Sequence, residues 1–217
     1  MTTGRRAFDP QTFVSTVGQG RTLVSVGKGQ TIYAQGDAAD ALFVIKKGTV
    51  KLSVKSRAIE ATLDLLSDKE FVGKDALTGE SSRTASATAI TDCSLLRIER
   101  KAMMLALTRH VKLANLFLAY ALAQNIRYQQ DLVDQHCNPS EKRLAHILLR
   151  LAHYDGKGAS ESTVPKMSHE TLAGMVGTTR SRVCFFMKRF KQSGFIDYEL
   201  GGKTLRVYRT LLAFCGQ

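Results

Sequence analysis

The chain has 217 residues, a formal net charge of +12 and four cysteines. No apolar run is long enough to span a membrane and the N-terminus MTTGRRAFDP has no secretory signal, so we expect a soluble, cytoplasmic protein of one large or two small domains. The charge favours a polyanionic partner. The sequence has no paired nucleophile and base, no phosphate-binding glycine loop and no metal-ligand spacing, which argues against an enzyme and predicts no cofactor and no metal.

Short β-type runs separated by glycine fill residues 21–100, among them TLVSV, ALFVIKKGTVKLSV and SATAITDCSLLRIE. Turn signals recur about every ten residues, which is typical of a small antiparallel barrel or sandwich. In one run Val50, Leu52 and Val54 alternate with polar residues, as expected for a strand with one buried face.

A helical pattern follows over residues 101–137, where the chain has no Gly or Pro. Spacings of three and four residues define a row typical of a two-stranded coiled-coil seam: Leu116, Ala119, Ala123, Ile126, Gln130, Val133 and Cys137. The alternative is an amphipathic helix that lies on its own barrel. We favour self-association because more than three heptads exceed what a small barrel usually covers.

The sequence NPSEKRLAHILLRLAHY predicts a new helix, with Asn138 as N-cap, Pro139 at the first helical position and Glu141 at the third. The break between the two helices is the expected domain boundary. The following segment DGKGASESTVPKM is polar and contains glycine, which predicts a surface loop.

The segment SHETLAGMVGTTRSRVCFFMKRFKQSGF predicts two short helices joined by a glycine turn, the second of them basic, which is the helix-turn-helix arrangement. Ser168 is expected to cap the first helix, Gly177 to make the turn, and Thr178 or Thr179 to cap the second. Helical periodicity points four residues of the second helix inward: Val183, Phe186, Met187 and Phe190. After it, two β-type runs around Gly201 and Gly202 predict a wing hairpin whose Lys203 and Arg206 can reach DNA phosphates.

The order of these parts resembles the Crp/Fnr (cyclic-AMP receptor and fumarate-nitrate regulator) family of bacterial transcription regulators. The motifs that carry the resemblance are QGDAADALFVIKKGTVKLS, FVGKD with SSRTASATA, and LAGMVGTTRSRV. The resemblance implies an α+β fold with an N-terminal antiparallel β-roll of the cyclic-nucleotide-binding type, a long dimerisation helix and a C-terminal winged helix-turn-helix, over residues 1–100, 101–137 and 138–217. It also implies a homodimer that binds double-stranded DNA at a near-palindromic site and contacts RNA polymerase.

In family members that bind cyclic nucleotides, the segment matching residues 71–89 holds the ligand. Gly73, Arg83 and Thr84 match its glycine, its phosphate-binding arginine and the neighbouring hydroxyl, whereas Lys74 stands where the family has the acid that binds the ribose. An ammonium cannot accept the ribose hydroxyl proton, so control by cyclic AMP is not expected. Asp75 should face the opposite side if the segment is extended. A different small anion held by Lys74 and Arg83, an empty pocket and a cyclic-nucleotide-responsive regulator remain as alternatives.

On the DNA side the chain also departs from the well-known members, with Ser181 and Phe185 at positions where they have glutamate and arginine. The expected contacts are Arg180 and Arg182 with base edges or nearby phosphates, and Ser181 as a secondary base contact. Thr179, Lys188 and Lys203 are expected at phosphates. Phe185 either contacts thymine methyl groups or belongs to the core.

Cys184 lies among basic residues of the same helix, so it is either a redox switch or an inert packing residue. A low-specificity architectural nucleic-acid-binding protein would share the charge and the dimer helix, and is the alternative function.

Overall fold

The structure is a computed structural model that describes residues 19–57, 59–152, 160–199 and 201–216. The chain divides into two compact units, one ending at Arg127 and the other beginning at Tyr128. Within the described ranges no helix has the length and apolarity needed to cross a membrane. The first 18 residues of the predicted sensor domain, residues 153–154 of the predicted helix and residues 155–159 of the predicted loop lie outside the described residues. The three-part division at residues 100 and 137 stays a prediction.

The N-terminal unit is built on two four-stranded antiparallel sheets, with orders β1-β8-β3-β6 and β2-β7-β4-β5. These sheets form the predicted β-roll. Their strands are β1 (Arg21–Val26), β2 (Thr31–Tyr33), β3 (Ala41–Lys47), β4 (Val50–Ser56), β5 (Ile59–Leu66), β6 (Phe71–Val72), β7 (Ser86–Ala89) and β8 (Cys93–Glu99).

The predicted alternation in β4 holds only for its first half. Val50 is buried and Leu52 packs against the core of the roll, but the strand register shifts between Leu52 and Ser53. Because such a shift moves the following side chains to the other face, Ser53 is buried in place of Val54.

The predicted helical region over residues 101–137 forms two helices, α1 (Arg100–Arg109) and α2 (Val111–Cys137). They separate at His110, whose backbone leaves the helical region at φ −123° and ψ 88°. One face of α2 packs on the β-roll through Leu113, Phe117 and Tyr120, and the rings of Phe117 and Tyr120 both contact the Phe71 ring. This aromatic contact buries the apolar face that strands β3, β6 and β8 leave uncovered.

The C-terminal unit contains a three-stranded antiparallel sheet, of order β10-β11-β9, and four helices that follow α2. These elements are α3 (Ser140–Leu151), β9 (Glu161–Pro165), α4 (His169–Val176), α5 (Arg180–Gln192), β10 (Ile196–Asp197), β11 (Thr204–Tyr208) and α6 (Leu211–Cys215). The prediction of a loop before α4 is therefore wrong for β9. Its Val164 pairs with Leu205 of β11 and is 3% exposed, so burial and pairing outweigh a polar sequence.

Two of the three predicted helix N-caps are confirmed, and the third is wrong by one residue. The Ser168 hydroxyl accepts a hydrogen bond from Thr171 N, and the Thr179 hydroxyl accepts one from Arg182 N, as predicted. At α3 the prediction was displaced by one residue. Pro139 is the N-cap, with an extended backbone, and the Asn138 amide instead donates to Asp134.

Gly177 ends α4 in the left-handed conformation, with φ 68°, and its N–H donates to Ala173 O. A left-handed backbone costs a residue with a side chain about 1–2 kcal/mol. We expect Gly177→Ala to lower the free energy of unfolding by that amount, as measured by chemical denaturation of the full chain.

Gly216→Ala is the matched control, because that residue has φ −80° and its added Cβ would lie 3.7 Å from the nearest atom, in ordinary contact. Equal stabilities of the two variants would contradict the left-handed turn.

Candidate DNA interface and sensor pocket

The second helix of the helix-turn-helix, α5, has one buried and one exposed face. The four residues predicted to face inward are all buried: Val183, Phe186, Met187 and Phe190. The predicted DNA contacts are all exposed, six at the start and along the outer face of α5 and one in the wing: Thr179, Arg180, Ser181, Arg182, Phe185, Lys188 and Lys203. Phe185 is 61% exposed, so the alternative that places it in the core is wrong. Its contact with a thymine methyl group stays a prediction.

The basic residues of this region form two sets that the sequence does not separate. Arg189 is bound to the Glu141 carboxylate at 3.2 Å, and both Lys191 and Arg206 are bound to Asp197, at 3.0 and 2.9 Å. The hydrogen bond from Lys191 is the main reason why the pKa of Asp197 is lowered.

The second set contains Arg180, Lys188 and Lys203. Among the residues that the structure describes, these three form no ion pair with a carboxylate. They are exposed and available to an external anion. Arg206, which the sequence places with Lys203 at phosphates, is partly neutralised by Asp197.

His169 in the first turn of α4 lies near basic residues at the start of α5. Burial lowers the pKa of His169, and the positive charges of Arg180 and Lys166 lower it further. Such a concentration of positive charge attracts a polyanion.

Arg143 of α3 holds the turn between α4 and α5, a role that no sequence pattern indicates. Its guanidinium donates to Val176 O at 2.9 Å, and also to Gln135 O at 2.9 Å and Asn138 O at 3.1 Å near the end of α2. Gln135 in turn donates to Met175 O at 2.9 Å. The orientation of the helix-turn-helix is therefore fixed against the end of α2 by hydrogen bonds to backbone carbonyls.

The predicted dimer seam lies on a face of α2 distinct from the face that packs on the β-roll. All seven seam residues are exposed: Leu116, Ala119, Ala123, Ile126, Gln130, Val133 and Cys137. Three further exposed leucines, which the heptad pattern omitted, widen this apolar face: Leu118, Leu122 and Leu132.

Cys184 is exposed on α5. Its role as a redox switch stays a prediction.

In the β-roll, the Arg83 guanidinium of the predicted effector pocket is almost fully buried. It donates to Gly73 O at 3.1 Å and to Ala41 O, and it lies 4.2 Å from the Tyr33 ring centroid. Gly73 has φ 74°, and a Cβ added there would lie 2.7 Å from Arg83 Nη1. Glycine is therefore required here by both backbone conformation and space.

The expectation that Asp75 faces away from this pocket is wrong. The segment is not extended there, because Lys74–Leu77 form a 3-10 helix that begins after Gly73. The Asp75 carboxylate consequently turns towards Arg83 and accepts a hydrogen bond from its Nη1 at 2.8 Å. The negative charge of Asp75 helps to raise the pKa of Tyr33, although burial is the larger cause.

Lys74 has different neighbours from Arg83. Its Nζ lies 5.3 Å from the ring centroid of Tyr120 on α2. Burial is the main cause that lowers the Lys74 pKa, Arg127 lowers it further, and the carboxylates of Asp64 and Glu70 raise it. The alternative of one small anion held by Lys74 and Arg83 stays a prediction.

Comparison with known proteins agrees with this architecture. Residues 23–110 match the cyclic nucleotide-binding domain family and residues 142–212 match the Crp-like helix-turn-helix domain family. The cyclic AMP receptor protein of Thermus thermophilus is 32% identical over 189 residues, which cover 85% of this chain and 83% of that protein. The global nitrogen regulator of Synechococcus elongatus is 28% identical over 78% of each chain.

Solved structures show the same fold. FixK2 from Bradyrhizobium japonicum superposes with a TM-score of 0.78 at 17% identity, over 90% of this chain and 96% of that one. A Crp-family transcriptional regulator from Thermus thermophilus gives 0.70 at 22% identity, over 89% and 97%. From these matches and the order of its parts, the chain belongs to the Crp/Fnr family of transcription regulators and carries that family's helix-turn-helix DNA-binding domain.

Proposed function

We propose that this regulator binds, as a homodimer, a near-palindromic DNA site, and that cyclic AMP does not control it. The observation that carries the DNA-binding part is the exposed outer face of α5, where Arg180 and Lys188 are without carboxylate partners among the described residues. A helix of this kind enters the major groove with its N-terminal residues at the base edges.

The N-terminal half of α5 provides the residues for reading sequence. Arg180 and Arg182 lie in its first turn, where a long planar guanidinium can bind a guanine edge through two hydrogen bonds. Ser181 adds a second donor or acceptor beside them, and the exposed Phe185 ring offers an apolar surface to thymine methyl groups. Thr179, Lys188 and the wing residue Lys203 are placed at phosphates, where they supply affinity without sequence information.

The exposed apolar face of α2 supports self-association. Seven residues at heptad spacing and three leucines beside them are solvent-exposed in one chain, which is unfavourable unless another surface covers them. A second copy of the same helix satisfies the spacing. A twofold dimer would also present two copies of α5, as a near-palindromic site requires. Contact with RNA polymerase is proposed from the family alone.

Lys74 supports independence from cyclic AMP. An ammonium has only donors and cannot accept the proton of a ribose hydroxyl, and here it is directed to Tyr120 of α2. A regulator that needs no nucleotide would bind its site in the unliganded state.

Selection of bound genomic fragments by the purified, reduced protein tests this function, in parallel arms with and without cyclic AMP. We expect the same palindromic motif in both arms, preferred by about 10³ or more over random DNA. A motif found only with the nucleotide would contradict independence from cyclic AMP. The absence of any motif would indicate an architectural protein instead.

Arg180→Ala should remove about 1–3 kcal/mol of discrimination between the selected site and a site mutated at one half, while most non-specific binding remains. The expected reason is the loss of a base-edge contact. Titrations of both DNA sequences at fixed salt measure it.

Lys203→Ala is the matched control, because Lys203 is expected to contact a DNA phosphate and not a base edge. It should weaken binding to both sequences alike and reduce the slope of log K against log salt by about 2, because each subunit of the dimer loses one phosphate contact. Uniform weakening by Arg180→Ala would show that this arginine contacts phosphate and does not read sequence.

Ile126→Asp should convert the dimer into single chains, because it places two carboxylates opposite each other in an apolar seam. Ile126 is 56% exposed in the single chain, so the fold does not depend on it. Analytical ultracentrifugation measures the mass of the species in solution.

Gln192→Asp introduces the same charge at an exposed polar residue at the end of α5, outside α2. It should leave the dimer intact. If Ile126→Asp also remains a dimer, the seam lies elsewhere.

A further inference from the structure

The Asp75 carboxylate is held by a set of donors that is typical of a site for an external oxyanion. Its Oδ1 accepts from Arg83 Nη1 at 2.8 Å and from Ala76 N at 3.0 Å. Its Oδ2 accepts from the N–H of Thr84 at 3.1 Å and from the Thr84 hydroxyl at 3.3 Å. A guanidinium, a hydroxyl and backbone N–H groups that converge on one group are the donors by which proteins bind phosphate and carboxylate.

The cationic side of this site is rigid and closed. Arg83 is 3% exposed, its guanidinium also donates to Gly73 O and Ala41 O, and one of its faces lies on the Tyr33 ring. A Cβ at position 73 would lie 2.7 Å from Arg83 Nη1, so no side chain fits between Gly73 and the guanidinium. Because a buried guanidinium is costly without an opposite charge, some anion must stand next to it.

We propose that the Asp75 carboxylate occupies an oxyanion site of the β-roll and thereby excludes phosphate-bearing ligands from it. Asp75 lies eight residues from Arg83 in the chain, so it is tethered at a high effective concentration that a free anion has to overcome. An incoming phosphate would also meet the negative charge of Asp75 at close range. The site is therefore built for an anion, and the chain itself supplies that anion.

This occupancy goes beyond the proposed function. It depends neither on DNA binding nor on dimer formation, and it acts through the pair of Asp75 and Arg83, not through the adjacent Lys74.

Asp75→Ala and Asp75→Asn test this occupancy. The first opens the space of the carboxylate, and the second removes the charge with little change of shape. Each full-length variant and the wild type are titrated calorimetrically with inorganic phosphate and, separately, with cyclic AMP. We expect at least one probe to bind Asp75→Ala about 100-fold or more tightly than it binds the wild type, because juxtaposed like charges strongly oppose binding in the wild type.

The two probes distinguish the source of the phosphate group. Binding of both means a general oxyanion site, whereas binding of cyclic AMP alone means that the rest of the pocket still selects a nucleotide. Either result supports the occupancy by Asp75, provided that Arg83→Met in the Asp75→Ala background abolishes it.

Asp40→Asn is the matched control. It removes one carboxylate of the same β-roll that is also bound to an arginine, Arg97, at 2.6 Å, but this pair lies at the surface. It should bind neither probe more tightly than the wild type does. An equal gain in Asp40→Asn would show that only the net charge matters, and would overturn the proposal.

If the Asp75 variants fold too poorly for calorimetric titration, thermal unfolding tests the proposal instead. In phosphate, compared with chloride at equal ionic strength, the midpoint of Asp75→Ala should rise more than that of the wild type, since a ligand stabilises the state that binds it. The proposal would be overturned if cyclic AMP bound the wild type as tightly as it binds the Asp75 variants, or if no variant bound either probe. It would also be overturned if phosphate did not raise the unfolding midpoint of a poorly folded variant.

Discussion

The buried guanidinium of Arg83 is the constraint on which the sensor half of this protein depends. A charge enclosed by protein must be surrounded by acceptors and by an opposite charge. Two carbonyls, one aromatic face and one carboxylate meet this demand at the two terminal nitrogens of the guanidinium, while Arg83 Nε has no hydrogen-bond partner among the described residues. Gly73 must be glycine because the Arg83 guanidinium fills the space that a Cβ would need. The 3-10 helix that follows Gly73 is what turns Asp75 into the site.

The same short helix separates the two cations that sequence reasoning had grouped. Asp75 is directed to Arg83, whereas the preceding residue, Lys74, lies against Tyr120. Lys74 lies near α2 and its residue Arg127, whose guanidinium is bound to Asp64 and to Glu70 and whose positive charge opposes that of Lys74.

In the DNA-binding half, too, carboxylates compensate part of the positive charge. Three basic residues are held by the carboxylates of Glu141 and Asp197, and they help to stabilise the winged domain. The remaining ones form an uncompensated face that begins at the cap residue Thr179. Arg143 ties the turn before α5 to the last turns of α2 by hydrogen bonds to carbonyls, so that a shift of either would have to break them.

Patterns of local origin were enough to predict an antiparallel barrel or sandwich, the long helix, the caps Ser168 and Thr179, and the two faces of α5, because each depends on residues close together in sequence. The β-roll itself was implied by the resemblance to the family. Strand β9, the N-cap Pro139 and the bulge at Ser53 could not be predicted, since pairing and burial against distant residues decided them. The sequence by itself determined that a lysine, Lys74, and an aspartate, Asp75, follow Gly73. Only the tertiary structure decided that Asp75 turns inward, because an acid can neutralise a buried arginine only where the fold brings their side chains together.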